Sequence, residues 1–264
     1  MSSSNNAQPK TKFQKALYHW RRVTGIVRTG IAQLIIPKTV YLQAVPDRVT
    51  MLDEYKEFYG DRRRFVLHQH HSRDIVRWFF LNYLLDEVRE LPEGDYAELG
   101  TFQGTTARLF YKRLAEGARL YCFDTFEGFA SMDLDAELSA TGVESKVGHF
   151  SNTSIAAVQE RITGSSSQAE NLKLVKGFFP DTFVGFDEHK FRFVHLDADL
   201  YAPMKAGLEE FWPKLVPGGV MICHDVGGAY VGSKKAVDEF FGPLGLKPIM
   251  MPDKVGSVVI RKPL

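Results

Sequence analysis

Two short runs gather the side chains best suited to chemistry. One is Val194-His195-Leu196-Asp197-Ala198-Asp199-Leu200-Tyr201. The other is Ile222-Cys223-His224-Asp225, shortly after Pro217-Gly218-Gly219. Each passes from apolar residues to carboxylates or imidazoles, as a buried strand does at its end. In open α/β folds ligands bind at the carboxyl edge of the sheet, where two such strand ends deliver their groups. Asp197, His224 and Asp225 are therefore a candidate ligand set for a divalent cation. Such a cation orients a diol or lowers the pKa of a bound hydroxyl. The same groups also make a polar, hydrogen-bonded cluster that needs no metal.

Two further motifs suit a nucleoside cofactor. Asp124, in Phe123-Asp124-Thr125-Phe126-Glu127-Gly128-Phe129, ends another strand-like run. An acid there can accept from both ribose hydroxyls of a nicotinamide or a methyl donor; a turn-capping Asp is the alternative. The loop Glu98-Leu99-Gly100-Thr101-Phe102-Gln103-Gly104-Thr105-Thr106 lies where a strand meets a helix. Its glycines let a ligand approach the backbone, and a helix N-terminus offers free N–H groups. Those groups suit the carboxylate of S-adenosylmethionine or a pyrophosphate. The spacing Glu98-x-Gly100-x-x-x-Gly104 is not the three-glycine dinucleotide fingerprint. Glu98 would repel a diphosphate and favour a cationic ligand.

From Asp95 onward strands and helices alternate. Strands are expected near Tyr96–Leu99, Arg119–Phe123, Leu172–Val175, Phe191–Leu196 and Gly219–Cys223. Helices are expected near Thr105–Glu116, Ser154–Ile162, Pro203–Leu215 and Ser233–Phe241. Ala130 to Lys146 is expected to be a loop that shapes the acceptor site. Alternation of this kind predicts an α/β fold, a Rossmann-like doubly wound sheet. Leu246–Met251 and Ser257–Arg261 follow one another with no helix to cross over. They predict a closing hairpin that makes the mostly parallel sheet end on an antiparallel strand, the methyltransferase variant of the fold.

The chain of 264 residues is expected to divide into a basic N-terminal extension (1–46), a helical cap segment (47–94) and the α/β domain (95–264). No Asp or Glu occurs between Met1 and Val40, whereas Lys10, Lys12, Lys15, Arg21, Arg22, Arg28 and Lys38 do. Apolar residues at helical spacing from Lys10 to Ile36 suit either a helix packed on protein or peripheral contact of residues 10–38 with an anionic membrane surface. A net charge of +1 implies no general attraction to nucleic acid. Arg28 interrupts the one apolar stretch that approaches a membrane span. Cys122 and Cys223, each inside an apolar run, read as buried free thiols of a reducing, cytoplasmic compartment. His68, His70 and His71, with no cysteine nearby, read as solvated histidines.

From about Tyr96 to Arg261 the chain resembles the macrocin O-methyltransferase family, class I S-adenosylmethionine-dependent enzymes that include mycinamicin sugar methyltransferases. The resemblance rests on the Glu-x-Gly loop, the Asp-Thr-Phe-x-Gly-Phe turn, Gly177-Phe178-Phe179-Pro180-Asp181-Thr182-Phe183, Leu-Asp-Ala-Asp-Leu-Tyr, the Pro-Gly-Gly strand and Lys235-Ala236-Val237-Asp238-Glu239-Phe240. It implies S-adenosylmethionine as donor, a divalent metal, a sugar or polyol hydroxyl as acceptor, and a homo-oligomer. Glu98, Gly100, Thr101, Gly104, Thr105, Asp124, Gly177 and Phe178 would place the donor. Asp197 would ligate the metal and orient the acceptor, and His149 would be the general base. The family pair Asp-Asp is here His224-Asp225. Magnesium prefers hard oxygen ligands, so the imidazole favours manganese, iron or zinc, or weak binding. A catechol-type methyltransferase and a non-catalytic donor-binding partner in an assembly are the competing functions.

Overall fold

The computed structural model describes residues 40–44, 65–69, 75–145, 148–167, 169–227 and 231–264. The chain divides into two compact units between Ile75 and Val76. In the first, β1 (Val40–Ala44) and β2 (Phe65–Gln69) pair antiparallel, Val40 opposite Gln69 and Ala44 opposite Phe65. The β-branched and aromatic content of VYLQA and FVLHQ suits a pleated pair. A strand therefore occupies part of the stretch expected to be a helical cap, and His68 lies in it. The readings of Lys10–Ile36 and of His70 and His71 lie outside the described residues.

The second unit carries the site. It begins with α1 (Ile75–Arg89), then β3 (Asp95–Leu99), α2 (Thr105–Lys112), β4 (Leu120–Asp124), α3 (Ser131–Thr141), α4 (Ile155–Thr163) and β5 (Leu172–Lys176). A short 3₁₀ turn at Asp181–Phe183 leads to β6 (Phe191–Leu196), α5 (Tyr201–Lys214), β7 (Leu215–Cys223), α6 (Val231–Phe241), β8 (Ile249–Met250) and β9 (Val258–Arg261). The seven strands run in the order β5-β4-β3-β6-β7-β9-β8. The pairs β5–β4, β4–β3, β3–β6 and β6–β7 are parallel, and β9 joins β7 antiparallel. The doubly wound sheet with its closing hairpin is as expected.

Helices cover both faces, so the central strands are buried on both sides and read as continuous apolar runs. Every residue of Phe-Arg-Phe-Val-His-Leu in β6 is buried. One core layer joins Leu99, Phe123, Leu196 and Cys223 to α5 and α6; the other joins Tyr96, Cys122, Phe193 and Ile222 to α1, α2 and α4. Both cysteines are free and buried. Ser154 caps α4, its Oγ accepting from Ala157 N at 3.3 Å, and Gly164 ends it in the left-handed conformation. Among the described residues no helix is long and apolar enough to cross a membrane.

The main departure is α3, which stands where a loop is expected. The side chains it buries, Asp133 and Glu137, are charged, so no apolar period marks it. Glu137 explains why the helix stays: its carboxylate accepts from Tyr201 N at 2.7 Å and from Gly232 N at 3.2 Å. One side chain thus satisfies backbone donors in the first turns of both α5 and α6, groups that a helix leaves unpaired by itself.

Candidate active site

The carboxyl ends of β3, β4, β6 and β7 open into one cavity of about 320 Å³. Gly100, Phe102, Asp124, Gly128, Phe129, Phe150, Gly177 and Phe178 form part of its wall. Asp133, Asp197, Asp199, Pro203, His224 and Asp225 form another part. Among the described residues, five non-glycine positions have positive φ: Phe102, Phe126, Phe150, Asp199 and Asp225. Four of these line the cavity, and Phe126 lies in the turn just after Asp124. Left-handed backbone is uncommon for bulky residues and collects where the surroundings enforce it, often at functional sites.

Tight crossings between loops set the shape. Gly100, at φ +88°, leaves room for the Asp197 carbonyl, which would lie 2.0 Å from a Cβ placed there. Asp197 N donates to Leu99 O at 2.8 Å, and Gly100 N donates to Phe123 O at 2.9 Å. The glycine is thus required by contact between two protein loops. Gly128 similarly admits the His149 carbonyl. Asp124 holds its surroundings in place: Oδ2 accepts from Phe102 N at 2.7 Å and Oδ1 from Phe126 N at 2.6 Å. Burial raises the Asp124 pKa, while these N–H groups act in the opposite direction.

At the β6 and β7 ends the charges are densely packed. His224 Nδ1 is 2.7 Å from both Asp197 Oδ1 and Asp225 Oδ2, yet it is aligned for a hydrogen bond with neither. Arg77, from α1, donates from Nη2 to Asp197 Oδ2 at 3.1 Å. Burial opposes charge on His224, but Asp197 and Asp225 outweigh it and lift its pKa to about 9. Burial also opposes charge on Asp197, whose carboxyl His224 and Arg77 nevertheless hold well below the usual range. Asp199 is buried and hydrogen-bonded to Asp225; burial and the Asp197 charge push it well up.

Beneath this cluster runs a buried chain of polar groups. His195 Nε2 lies 2.9 Å from Arg77 Nη2. A guanidinium only donates, so Nε2 is the acceptor and the neutral ring carries its proton on Nδ1. Nδ1 in turn sits 3.3 Å from Glu98 Oε1. Burial drives the Glu98 pKa well up and the His195 pKa well down. Glu98, 1% exposed, is packed behind the loop and is absent from the cavity lining.

Comparisons with known proteins give this arrangement a family. The profile described as Macrocin-O-methyltransferase (TylF) matches residues 80–261. The chain belongs to the macrocin O-methyltransferase family. A curated relative from Streptomyces olivaceus, 8-demethyl-8-(2,3-dimethoxy-alpha-L-rhamnosyl)-tetracenomycin-C 4'-O-methyltransferase, is 28% identical over 173 residues. That match takes in 62% of this chain and 64% of the relative's length. Two solved structures share the fold at 18% identity. The O-methyltransferase NovP has a TM-score of 0.61, with 75% of this chain and 84% of that one covered. The calicheamicin methyltransferase CalS11 has 0.60, with 98% and 99% covered.

Within this member of the family, Gly100, Asp124, Gly177, Phe178, Asp197, His224 and Asp225 line one cavity. Glu98, Thr101, Gly104 and Thr105 are absent from the wall. Thr101 is buried. Gly104, left-handed at φ +76°, leaves the space taken by Val158 and Ile162 of α4, so its freedom serves helix packing. His149 is exposed, its ring against Phe129 and Phe150, and it too is absent from the wall. Sequence patterns did not single out Arg77 or Asp133, since each lies in a segment with no motif. Asp199, the second acid of Asp-Ala-Asp, reads from the sequence as a support of the neighbouring loop, and it lines the cavity as well.

Proposed function

We propose that the chain transfers a methyl group from S-adenosylmethionine to a hydroxyl of a sugar-containing small molecule or glycan, of the rhamnosyl kind named for its Streptomyces relative. The carrying observation is a single cavity that joins a glycine- and phenylalanine-rich wall with Asp124 to an acidic wall with Asp197, Asp199 and Asp225. The first suits a nucleoside bearing a sulfonium. The second suits an acceptor rich in hydroxyls. Methyl transfer requires the acceptor oxygen about 3 Å from the sulfonium methyl, and loss of its proton.

Gly100, Asp124, Gly177 and Phe178 would hold the donor, and Asp197 and Asp225 would orient the acceptor. Within the acidic cluster Asp197 is ion-paired to Arg77 and His224, and Asp225 to His224. Asp199, held protonated against Asp225, steadies that carboxylate, and we assign the proton of the acceptor hydroxyl to His149, which packs against the wall residues Phe129 and Phe150. A divalent cation also fits: ligand atoms of Asp197, His224 and Asp225 lie within 4.8 Å of one another, and His224 Nδ1 lacks a hydrogen bond despite its burial. The mixed nitrogen and oxygen donors favour manganese, iron or zinc over magnesium. Such an ion supplies Lewis-acid polarisation of acceptor oxygens. A cytoplasmic enzyme that assembles as a homo-oligomer completes the proposal.

The test is methyl transfer from labelled S-adenosylmethionine to methyl α-L-rhamnopyranoside and to catechol, side by side and read by mass spectrometry. Methylated rhamnoside supports the proposal. Methylated catechol alone transfers it to a planar diol, which the phenylalanine wall would suit. Donor binding without turnover on either overturns it in favour of a non-catalytic partner.

A further inference from the structure

Asp133 and Glu137 lie four residues apart on α3, so they share one helix face, and both are buried. Their surroundings differ. Glu137 is fully engaged by the backbone of α5 and α6. Asp133 is 8% exposed and lines the same cavity as Pro203, Asp199, His224 and Asp225. Its side chain has no hydrogen-bond or ion-pair partner among the described residues, while its backbone N–H donates to Ala130 O at 3.1 Å. The carboxyl oxygens are not sealed from solvent, so what they face is the cavity, and the part of the carboxyl that is buried there lacks a protein donor to offset its desolvation. Burial alone pushes its pKa up to about 6.

A fold keeps such a group when something other than the protein supplies the donor. The cavity is the open side of Asp133. Glu137 fixes the helix that carries it, so its direction into the cavity is set before anything binds. On the sugar reading above, the acceptor's hydroxyls are the donors that this cavity would bring to it.

We infer that Asp133 is a specificity-determining residue whose carboxylate accepts a hydrogen bond from a second hydroxyl of the acceptor, distinct from the one that is methylated. The inference rests on the sugar reading above. It narrows the acceptor to a polyol with two hydroxyls far enough apart to reach α3 and the β6–β7 cluster together. A lone phenol does not meet that requirement.

The experiment uses the full chain loaded with S-adenosylhomocysteine and titrated calorimetrically with methyl α-L-rhamnopyranoside and its monodeoxy analogues. Asp133→Ala is expected to weaken rhamnoside at least tenfold and to leave S-adenosylhomocysteine affinity within twofold, which also shows that the variant is folded. Asp133→Asn, which keeps the shape and one acceptor oxygen, should fall between. One deoxy analogue should bind the wild type at least tenfold more weakly and be insensitive to Asp133→Ala. Unchanged rhamnoside affinity in Asp133→Ala overturns the inference and spares the sugar reading. Equal losses for every deoxy analogue in both proteins do the same. Wild type that binds S-adenosylhomocysteine but no rhamnoside overturns the sugar reading, and the inference with it.

Discussion

Replacing Gly232 by Ala sets two effects of opposite sign against each other. Gly232 is the second residue of α6, where alanine would ordinarily be worth up to about 1 kcal/mol in helix propensity. Here the new methyl would lie 2.0 Å from Glu137 Oε2 and 2.6 Å from its Cδ. The carboxylate must leave, and with it go its bonds from Tyr201 N and Gly232 N. Each hydrogen bond to a charged group is worth about 1.5–3 kcal/mol, so about 3–6 kcal/mol is at stake. Helix propensity and relaxation return part of that, leaving a net loss of about 2–4 kcal/mol. For a unit of this size that lowers Tm by about 5–15 °C. Thermal and urea unfolding followed by circular dichroism measure it directly. In a Glu137→Ala background the same substitution should cost almost nothing, because the clash has already been removed. A Tm unchanged within 2 °C, or raised, refutes the clamp and leaves propensity as the governing effect.

Four other outcomes follow from the site. Gly100→Ala is expected to abolish S-adenosylhomocysteine binding by calorimetry, since the Asp197 carbonyl fills the space its methyl needs. His149→Ala should lower kcat by ~10²–10⁴, and Asp199→Asn, which keeps a donor toward Asp225, by less than tenfold; the reverse order in a turnover assay gives the base role to Asp199. Manganese, followed by electron paramagnetic resonance, should bind the stripped protein more tightly than magnesium, and His224→Asp should raise magnesium affinity at least tenfold; full-strength magnesium binding by the wild type contradicts this. Asp133 has a raised pKa in the folded state, so its contribution is intact below about pH 4 and is lost as pH rises through 6. Asp133→Asn should therefore match wild-type stability at pH 4 and exceed it by about 1–2 kcal/mol at pH 8, a difference that paired urea titrations resolve.

Strand order and strand ends were legible because buried parallel strands announce themselves as apolar runs closed by a polar residue, as at Leu99-Gly100, Phe123-Asp124 and Leu196-Asp197. The helix from Ser131 to Thr141 was not, because it buries Asp133 and Glu137 where a pattern search expects leucine. Phe65–Gln69 was read as helix, since five residues without a turn signal look alike in either state. Glycine is expected at 100 and 104 for the sake of a ligand; at 100 the Asp197 carbonyl also needs the missing side chain's space, and at 104 the side chains of α4 do. Arg77 was invisible because nothing in Ile75–Arg89 says that one guanidinium reaches across to a carboxylate 120 residues away.

The five left-handed side-chain-bearing residues around the cavity have a bearing on how this protein can evolve. Each holds a conformation that costs of order 1–3 kcal/mol and that Gly or Asn would adopt more easily. A selection for thermal tolerance alone would therefore find early gains at Phe102, Phe126, Phe150, Asp199 and Asp225. Those replacements would remove aromatic wall and acidic rim together. The lineage would become sturdier while losing the wall of this cavity, so residues that cost the fold stability are also those that shape its candidate site.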